Sequence, residues 1–165
     1  MKGKPEETLG EYLTACGWKL AVAESCTGGL IGHRITNIPG SSVYYRGSVT
    51  AYAYEAKVRL LGVPWETLEK YGAVSGETVL AMARGIRKVM GADVGLAVSG
   101  IAGPGGGTGE KPVGLTWFGL SAPGYENTWR VIWKGDRITN KQHTAEKALL
   151  LLTDFLKGKD HHGRD

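Results

Sequence analysis

The stretch Leu20-Ala21-Val22-Ala23-Glu24-Ser25-Cys26-Thr27-Gly28-Gly29-Leu30 constrains this chain more than any other. An apolar run passes into small polar residues and a glycine pair, and an apolar-periodic segment follows. That is the pattern of a strand turning into a helix. It puts Ser25, Cys26 and Thr27 at a helix mouth, where unpaired backbone N–H groups and the helix dipole favour negative charge. A hydroxyl and a thiol in that position are potential nucleophiles, with Ser25 expected to point outward and Cys26 back into the sheet.

The remaining punctuation extends this unit into a fold. Residues 5–16 read as a helix, with Pro5 and two glutamates suited to its first turn, Leu9, Leu13 and Cys16 on one face, and Gly17 as its stop. Residues 18–23 follow as the first strand and 28–35 as the second helix, with Leu30 and Ile31 inward. A β-branched and aromatic run predicts a strand over 44–52. A short helix over 54–61 ends at Gly62, and Pro64 opens another before Tyr71-Gly72. Ser75 suits the N-cap of a long helix reaching Met90, with Val79, Met82, Ala83, Ile86 and Val89 as its apolar stripe. Residues 94–99 predict a strand covered on both faces, leading into the glycine-rich loop 100–107. Strands over 113–120 and 126–133 are joined at Pro123-Gly124, which suits an antiparallel hairpin. A final helix over 136–156 places Ala145, Ala148, Leu149 and Leu152 inward, and 157–165 is expected to be a flexible tail. This alternation predicts one domain over 1–165 with its ordered core at about 6–156. Its fold class is α/β, a three-layer α/β/α sandwich on a mixed sheet.

Composition narrows the function classes. With 42% apolar and 22% charged residues in 165, the chain can bury a continuous core without metal or disulfide support. No apolar run approaches the roughly 20 residues that span a bilayer, and no signal-peptide core follows the N-terminal lysines, so a cytoplasmic protein with no membrane partner is expected. Cys16 and Cys26 read as reduced thiols, and the four histidines form no ligand pattern, so no metal site is expected. A net charge of +4, spread along the chain, gives no basic stripe for nucleic acid but suits a small anionic substrate.

A serine needs a base, and no histidine has the spacing to supply one. Lys57 is the candidate, because it opens a helix close to where a neighbouring strand would end, and a desolvated lysine can act as general base. Tyr52 and Tyr54 could orient it or relay its proton. The alternative is a capping Ser25 and Thr27, a solvated Lys57 and core tyrosines, and residue chemistry alone favours that alternative. Cys26 competes as nucleophile, since a helix mouth lowers a thiol pKa. The loop from Gly100 to Gly107 is either a nest of N–H groups for an anion, with Lys111 adding charge, or simply a tight surface turn. A Walker ending is absent.

Together these segments resemble a known family. Ala23-Glu24-Ser25-Cys26-Thr27-Gly28-Gly29, Pro39-Gly40-Ser41-Ser42, residues 47–57, Tyr71-Gly72-Ala73-Val74-Ser75, Gly100-Ile101-Ala102-Gly103-Pro104-Gly105-Gly106, Lys111-Pro112-Val113-Gly114 and Gly135-Asp136-Arg137 occur in that order in the C-terminal domain of the competence/damage-inducible protein CinA. The chain looks like the stand-alone form of that domain. The resemblance implies a mostly parallel five-stranded mixed sheet, no cofactor, a homodimer, and a nicotinamide mononucleotide amidohydrolase that yields nicotinate mononucleotide and ammonia. It carries Ser25 over as nucleophile, Lys57 as general base and Tyr52 as the third catalytic residue. Thr27 and Gly28 would then line the oxyanion site, and Gly103, Gly105, Gly106 and Lys111 the pyridine nucleotide site. Tyr54 stands where the family usually has Asn, which bears on how Lys57 is held or which ring is accepted. A catalytically silent nucleotide-binding or interaction module is the alternative function. Exposed Trp65, Trp129 and Trp133 are the residues that suit a homodimer.

Overall fold

The structure, a computed structural model, describes residues 3–160. Its centre is a five-stranded sheet in the order β2-β1-β3-β4-β5. The strands are β1 (Leu20–Glu24), β2 (Tyr45–Thr50), β3 (Val94–Gly100), β4 (Leu115–Ala122) and β5 (Tyr125–Ile132). β1 pairs in parallel with both β2 and β3, whereas β3–β4 and β4–β5 are antiparallel. Only β4 therefore runs against the other four strands, which agrees with the mixed, mostly parallel sheet expected. Because β1 leads outward to β2 while its other neighbour, β3, leads the opposite way to β4, the chain reverses its winding between β1 and β3. The crevice outside the carboxyl ends of β1 and β3 is where open α/β sheets place their ligands.

Each face of the sheet has its own helix layer. α1 (Pro5–Cys16), α2 (Leu30–Thr36) and α6 (Arg137–Asp160) cover one face; α3 (Tyr54–Leu61), α4 (Trp65–Tyr71) and α5 (Gly76–Val89) cover the other. The strand pleat divides the core between them. Leu20 and Val22 of β1, Val94, Leu96 and Val98 of β3, and Phe118 and Leu120 of β4 pack with Leu9, Leu13, Ile31, Ile35, Ala148, Leu149 and Leu152. The opposite face offers Ala21, Ala23, Ala51 and Ala97 to Val79, Met82, Ala83 and Ile86. Its small residues let α5 lie close to the strands. A Cβ on Gly95 would collide with the Ala83 carbonyl oxygen, and one on Gly119 would stand 2.6 Å from the Val79 carbonyl oxygen.

Local chemistry sets most helix limits. Gly17 and Gly62, both left-handed, stop α1 and α3, and the Ser75 hydroxyl accepts the Thr78 N–H at 3.2 Å to start α5. Several expectations are corrected. α2 starts at Leu30 and not Gly28, because Gly28 and Gly29 hold φ of 61° and 102°. Cys16 is exposed, and Val89 is 58% exposed, because each lies in the last turn of its helix, past the reach of the sheet. Trp129 and Trp133 are half-buried against the core, with the Trp133 indole donating to the Thr144 hydroxyl at 3.0 Å, so only Trp65 of the three is exposed. The helix expected to end at 156 continues to Asp160, so of the expected tail only 161–165 lie outside the described residues. Among the described residues no helix is long and apolar enough to cross a membrane.

Close packing of α5 gives a stability prediction. Gly119→Val should lower the unfolding free energy by about 3 kcal/mol, because Val79 backbone cannot yield as a side chain would. Gly105→Ala, whose added methyl meets nothing within 4 Å, should change it by less than about 0.5 kcal/mol. Urea denaturation of the two variants reads both values.

Candidate active site

β1 ends at Glu24, and the turn that follows carries Ser25 into the crevice. The Glu24 side chain is fully buried and accepts three hydrogen bonds: from the Thr27 hydroxyl at 2.6 Å, the Ile31 N–H at 2.9 Å and the Gly32 N–H at 3.1 Å. The α2 N-terminus thus already holds an anion, supplied by the chain itself. This corrects the expectation of an open helix mouth, and it gives Thr27 a structural partner. The Gly28 N–H is also committed, to the Ser25 carbonyl at 3.1 Å, and the Leu30 N–H to the Thr27 carbonyl at 3.2 Å. Of the Thr27–Gly28 pair expected to line an oxyanion site, only the Thr27 amide stands outside these bonds.

Lys57 reaches Ser25 from the neighbouring strand's exit. Ala51 donates its N–H to the Glu24 carbonyl at 2.8 Å, which ties the end of β2 to the end of β1. Tyr52 and Ala53 then lead into α3, where Lys57 is the fourth residue. Helical side chains lean toward the N-terminus, so the lysine stem runs back to the loop that precedes its own helix. Its Nζ lies 3.0 Å from Ser25 Oγ, 2.7 Å from the Ala51 carbonyl and 3.0 Å from the Tyr52 carbonyl. Lys57 is 0% exposed, and no carboxylate among the described residues stands within ion-pair distance of it. Burial without a counter-ion disfavours the ammonium and lowers its pKa from 10.5 to about 8. The two carbonyls can only accept. A neutral Lys57 therefore gives its two hydrogens to them and has its lone pair left for the Ser25 hydroxyl, the arrangement a general base requires.

The other expected residues divide. Tyr52 meets Lys57 through its carbonyl, while its 63% exposed phenol accepts from Arg137 Nη2 at 3.2 Å. Tyr54 does not enter the serine–lysine contact: its hydroxyl accepts the Ala73 N–H at 3.3 Å and its ring meets Trp65 edge-on. Gly103 is joined to the site, since its carbonyl accepts from Arg137 Nη1 at 2.8 Å. Gly105 and Gly106 lie on an exposed loop, and the Lys111 ammonium donates to the Tyr71 carbonyl beside Gly72. Cys26 is buried against Gly100, and burial pushes its thiol up to about 12, which overturns the expected lowering at a helix mouth. Three residues have roles that sequence reasoning missed: Glu24, Arg137 and Asn140. Buried Asn140 donates to the Ala102 carbonyl at 3.1 Å and accepts the Gly135 N–H at 2.9 Å, fixing the loop after β3 to the start of α6. Arg137 lay within a family motif, the one signal that could have flagged it.

A protein-family model described as the CinA C-terminal domain matches residues 2–156. Among curated proteins, the chain is 51% identical over 154 residues to a putative competence-damage inducible protein of Halothermothrix orenii and 49% identical to one of Moorella thermoacetica. Each match covers 93% of this chain and 37% of the relative. The chain thus spans little more than a third of those relatives' length. Among solved structures, a competence/damage inducible protein of Agrobacterium tumefaciens is 38% identical with a TM-score of 0.87, covering 95% of this chain and 98% of that one. A competence or damage-inducible protein of Enterobacter asburiae is 33% identical with a TM-score of 0.90, covering 94% and 99%.

The two thiols should react very differently. Iodoacetamide at pH 8 should label Cys16 readily and Cys26 only after unfolding, as read by peptide mass spectrometry. Labelling of native Cys26 at a rate like that of Cys16 would contradict its burial.

Proposed function

The chain belongs to the CinA C-terminal domain family, and from that premise and the Ser25–Lys57 contact we propose that it is a serine–lysine amidohydrolase acting on nicotinamide mononucleotide. The observation that carries the reading is a fully buried lysine without a counter-ion, 3.0 Å from a serine hydroxyl. A silent binding module would keep the cost of burying that amine and gain nothing from it.

In the proposed mechanism Ser25 Oγ attacks the carboxamide carbon as its proton passes to Lys57 Nζ. The Thr27 amide is the candidate donor to the developing oxyanion, in place of the Gly28 amide that the turn has taken. Collapse of the tetrahedral intermediate breaks the C–N bond, and Lys57 returns the proton to the departing nitrogen, which leaves as ammonia. Lys57 then takes a proton from water as it attacks the Ser25 ester and returns it to Ser25 Oγ as the acyl–oxygen bond breaks, giving nicotinate mononucleotide and free enzyme. Tyr52 serves through its carbonyl, which orients Lys57, and its phenol lies at the rim with Arg137, where the substrate enters. Gly103 supports that rim. Tyr54 supports the α3–α4 side, so its replacement of the usual Asn leaves the reacting pair intact.

Ammonia release from nicotinamide mononucleotide is the test. Ser25→Ala and Lys57→Met should each lower kcat at least about 10³-fold, whereas Tyr52→Phe, which keeps the carbonyl, should stay within about 10-fold. Activity of either first variant within a few-fold of the unsubstituted enzyme would refute the mechanism. The pH profile gives a second prediction. Because the neutral amine is the active form, kcat/KM should rise about tenfold per unit below about pH 8 and level off above it. A flat profile from pH 6 to 9 would exclude Lys57 as the base.

A further inference from the structure

Two cations of α6 project over the Ser25 turn. Arg137 and Lys141 are four residues apart and share a helix face, and both side chains lean toward the helix start, where the Gly103 loop and the Ser25 turn meet. Their situations differ. Arg137 spends two N–H groups bracing the Gly103 carbonyl and the Tyr52 hydroxyl. Lys141 Nζ lies 3.7 Å from where a Cβ on Gly28 would stand, so its ammonium hangs directly over the third residue after Ser25. Its charge is felt by the Cys26 thiol in the same turn. It is half-buried, and no carboxylate among the described residues lies within ion-pair distance of it.

The surrounding groups leave one vacancy for a cationic role. Lys57 is enclosed behind Ser25, and Lys111, the lysine expected to meet an anionic ligand, donates to the Tyr71 carbonyl. The α2 N-terminus cannot receive an outside anion, because the Glu24 carboxylate already occupies it. An anionic substituent on a molecule whose carbonyl carbon reaches Ser25 would come within reach of Lys141, over an exposed glycine whose missing side chain leaves room for close approach.

We infer that Lys141 is the substrate-positioning residue that receives the phosphate monoester of the substrate, holding the carboxamide at Ser25. This inference rests on the amidohydrolase reading above. It makes phosphate, and not the pyridine ring alone, a determinant of specificity, and it moves the phosphate site from Gly105, Gly106 and Lys111 to the start of α6.

The test compares nicotinamide mononucleotide with nicotinamide riboside, which lacks the phosphate. Lys141→Met should lower kcat/KM on the mononucleotide roughly 10- to 100-fold, the range for a charge-assisted hydrogen bond, with the loss mainly in KM. Its kcat/KM on the riboside should stay within about twofold, and Lys141→Arg should restore most of the loss. Equal loss on both compounds, or no loss on the mononucleotide, would overturn the assignment. If the unsubstituted protein releases ammonia from neither compound, the amidohydrolase reading has failed and the lysine is judged separately by titration with inorganic phosphate. A saturable shift of the Gly28 amide resonance that disappears in Lys141→Met supports the phosphate site. A shift unaffected by the substitution, or no shift, overturns it.

Discussion

The uncompensated burial of the Lys57 amine is the constraint on which the rest of the site depends. A buried ammonium with no counter-ion is expensive, so the group is held nearer its neutral form, and neutrality is what lets it take a proton. Glu24 is what makes this arrangement informative. It is a fully buried carboxylate one residue from Ser25, and a direct ion pair with Lys57 would have raised the lysine pKa and favoured the ammonium. The fold prevents that by giving Glu24 three donors of its own, the Thr27 hydroxyl and the Ile31 and Gly32 amides. The carboxylate stabilises the start of α2, the amine stays unpaired, and Ser25 lies between the two.

The backbone enforces this separation. β2 and β3 flank β1 in parallel, so the carboxyl ends of all three strands open on one edge, and the Ala51 N–H to Glu24 carbonyl bond continues the β1–β2 register past the last paired residues. Lys57 then needs only the first turn of α3 to bring its stem back over that edge. The small residues on the α5 face have a part in this, since Ala21, Ala23 and Ala51 keep the layer thin where α3 and α5 meet the sheet. Beyond β3, Asn140 and Arg137 hold the Gly103 loop against the start of α6, so the rim is built from segments far apart in sequence.

Much of the fold was legible because its signals are local. Pro5, Gly17, Gly62, Pro64 and Ser75 act on their own backbone, and the helices they bound lie where the pattern put them. The apolar runs of β1 and β3 and the turn at Pro123-Gly124 were equally direct. Failures came where a local rule met a non-local fact. The glycine pair reads as a helix start, but its left-handed φ values delay α2 by two residues. Cys26 at a helix mouth should be acidic, yet desolvation outweighs the dipole, and Glu24 has taken the dipole. Residue chemistry supplied Ser25 and Lys57 as compatible types but could not separate a buried amine from a solvated charge. That distinction lies in a contact across 32 residues. Asn140 was opaque for the same reason: its acceptor, the Ala102 carbonyl, lies 38 residues away in the chain.

The lysine's burial also sets the sign with which pH acts on the fold. The folded pKa of Lys57, about 8, lies below its ordinary value of 10.5, so between those limits the unfolded chain binds more protons than the folded one. Stability arising from this group therefore increases as pH rises through that window. Below about 8 both states carry the proton, and the native structure holds an ammonium satisfied only by Ser25, Ala51 and Tyr52. The same shift that keeps the amine nearer its neutral form thus weakens the fold where the amine is charged, a cost confined to one side chain. The rest of the core bears it through layers packed closely enough that even a methyl on Gly95 would strike the backbone of α5.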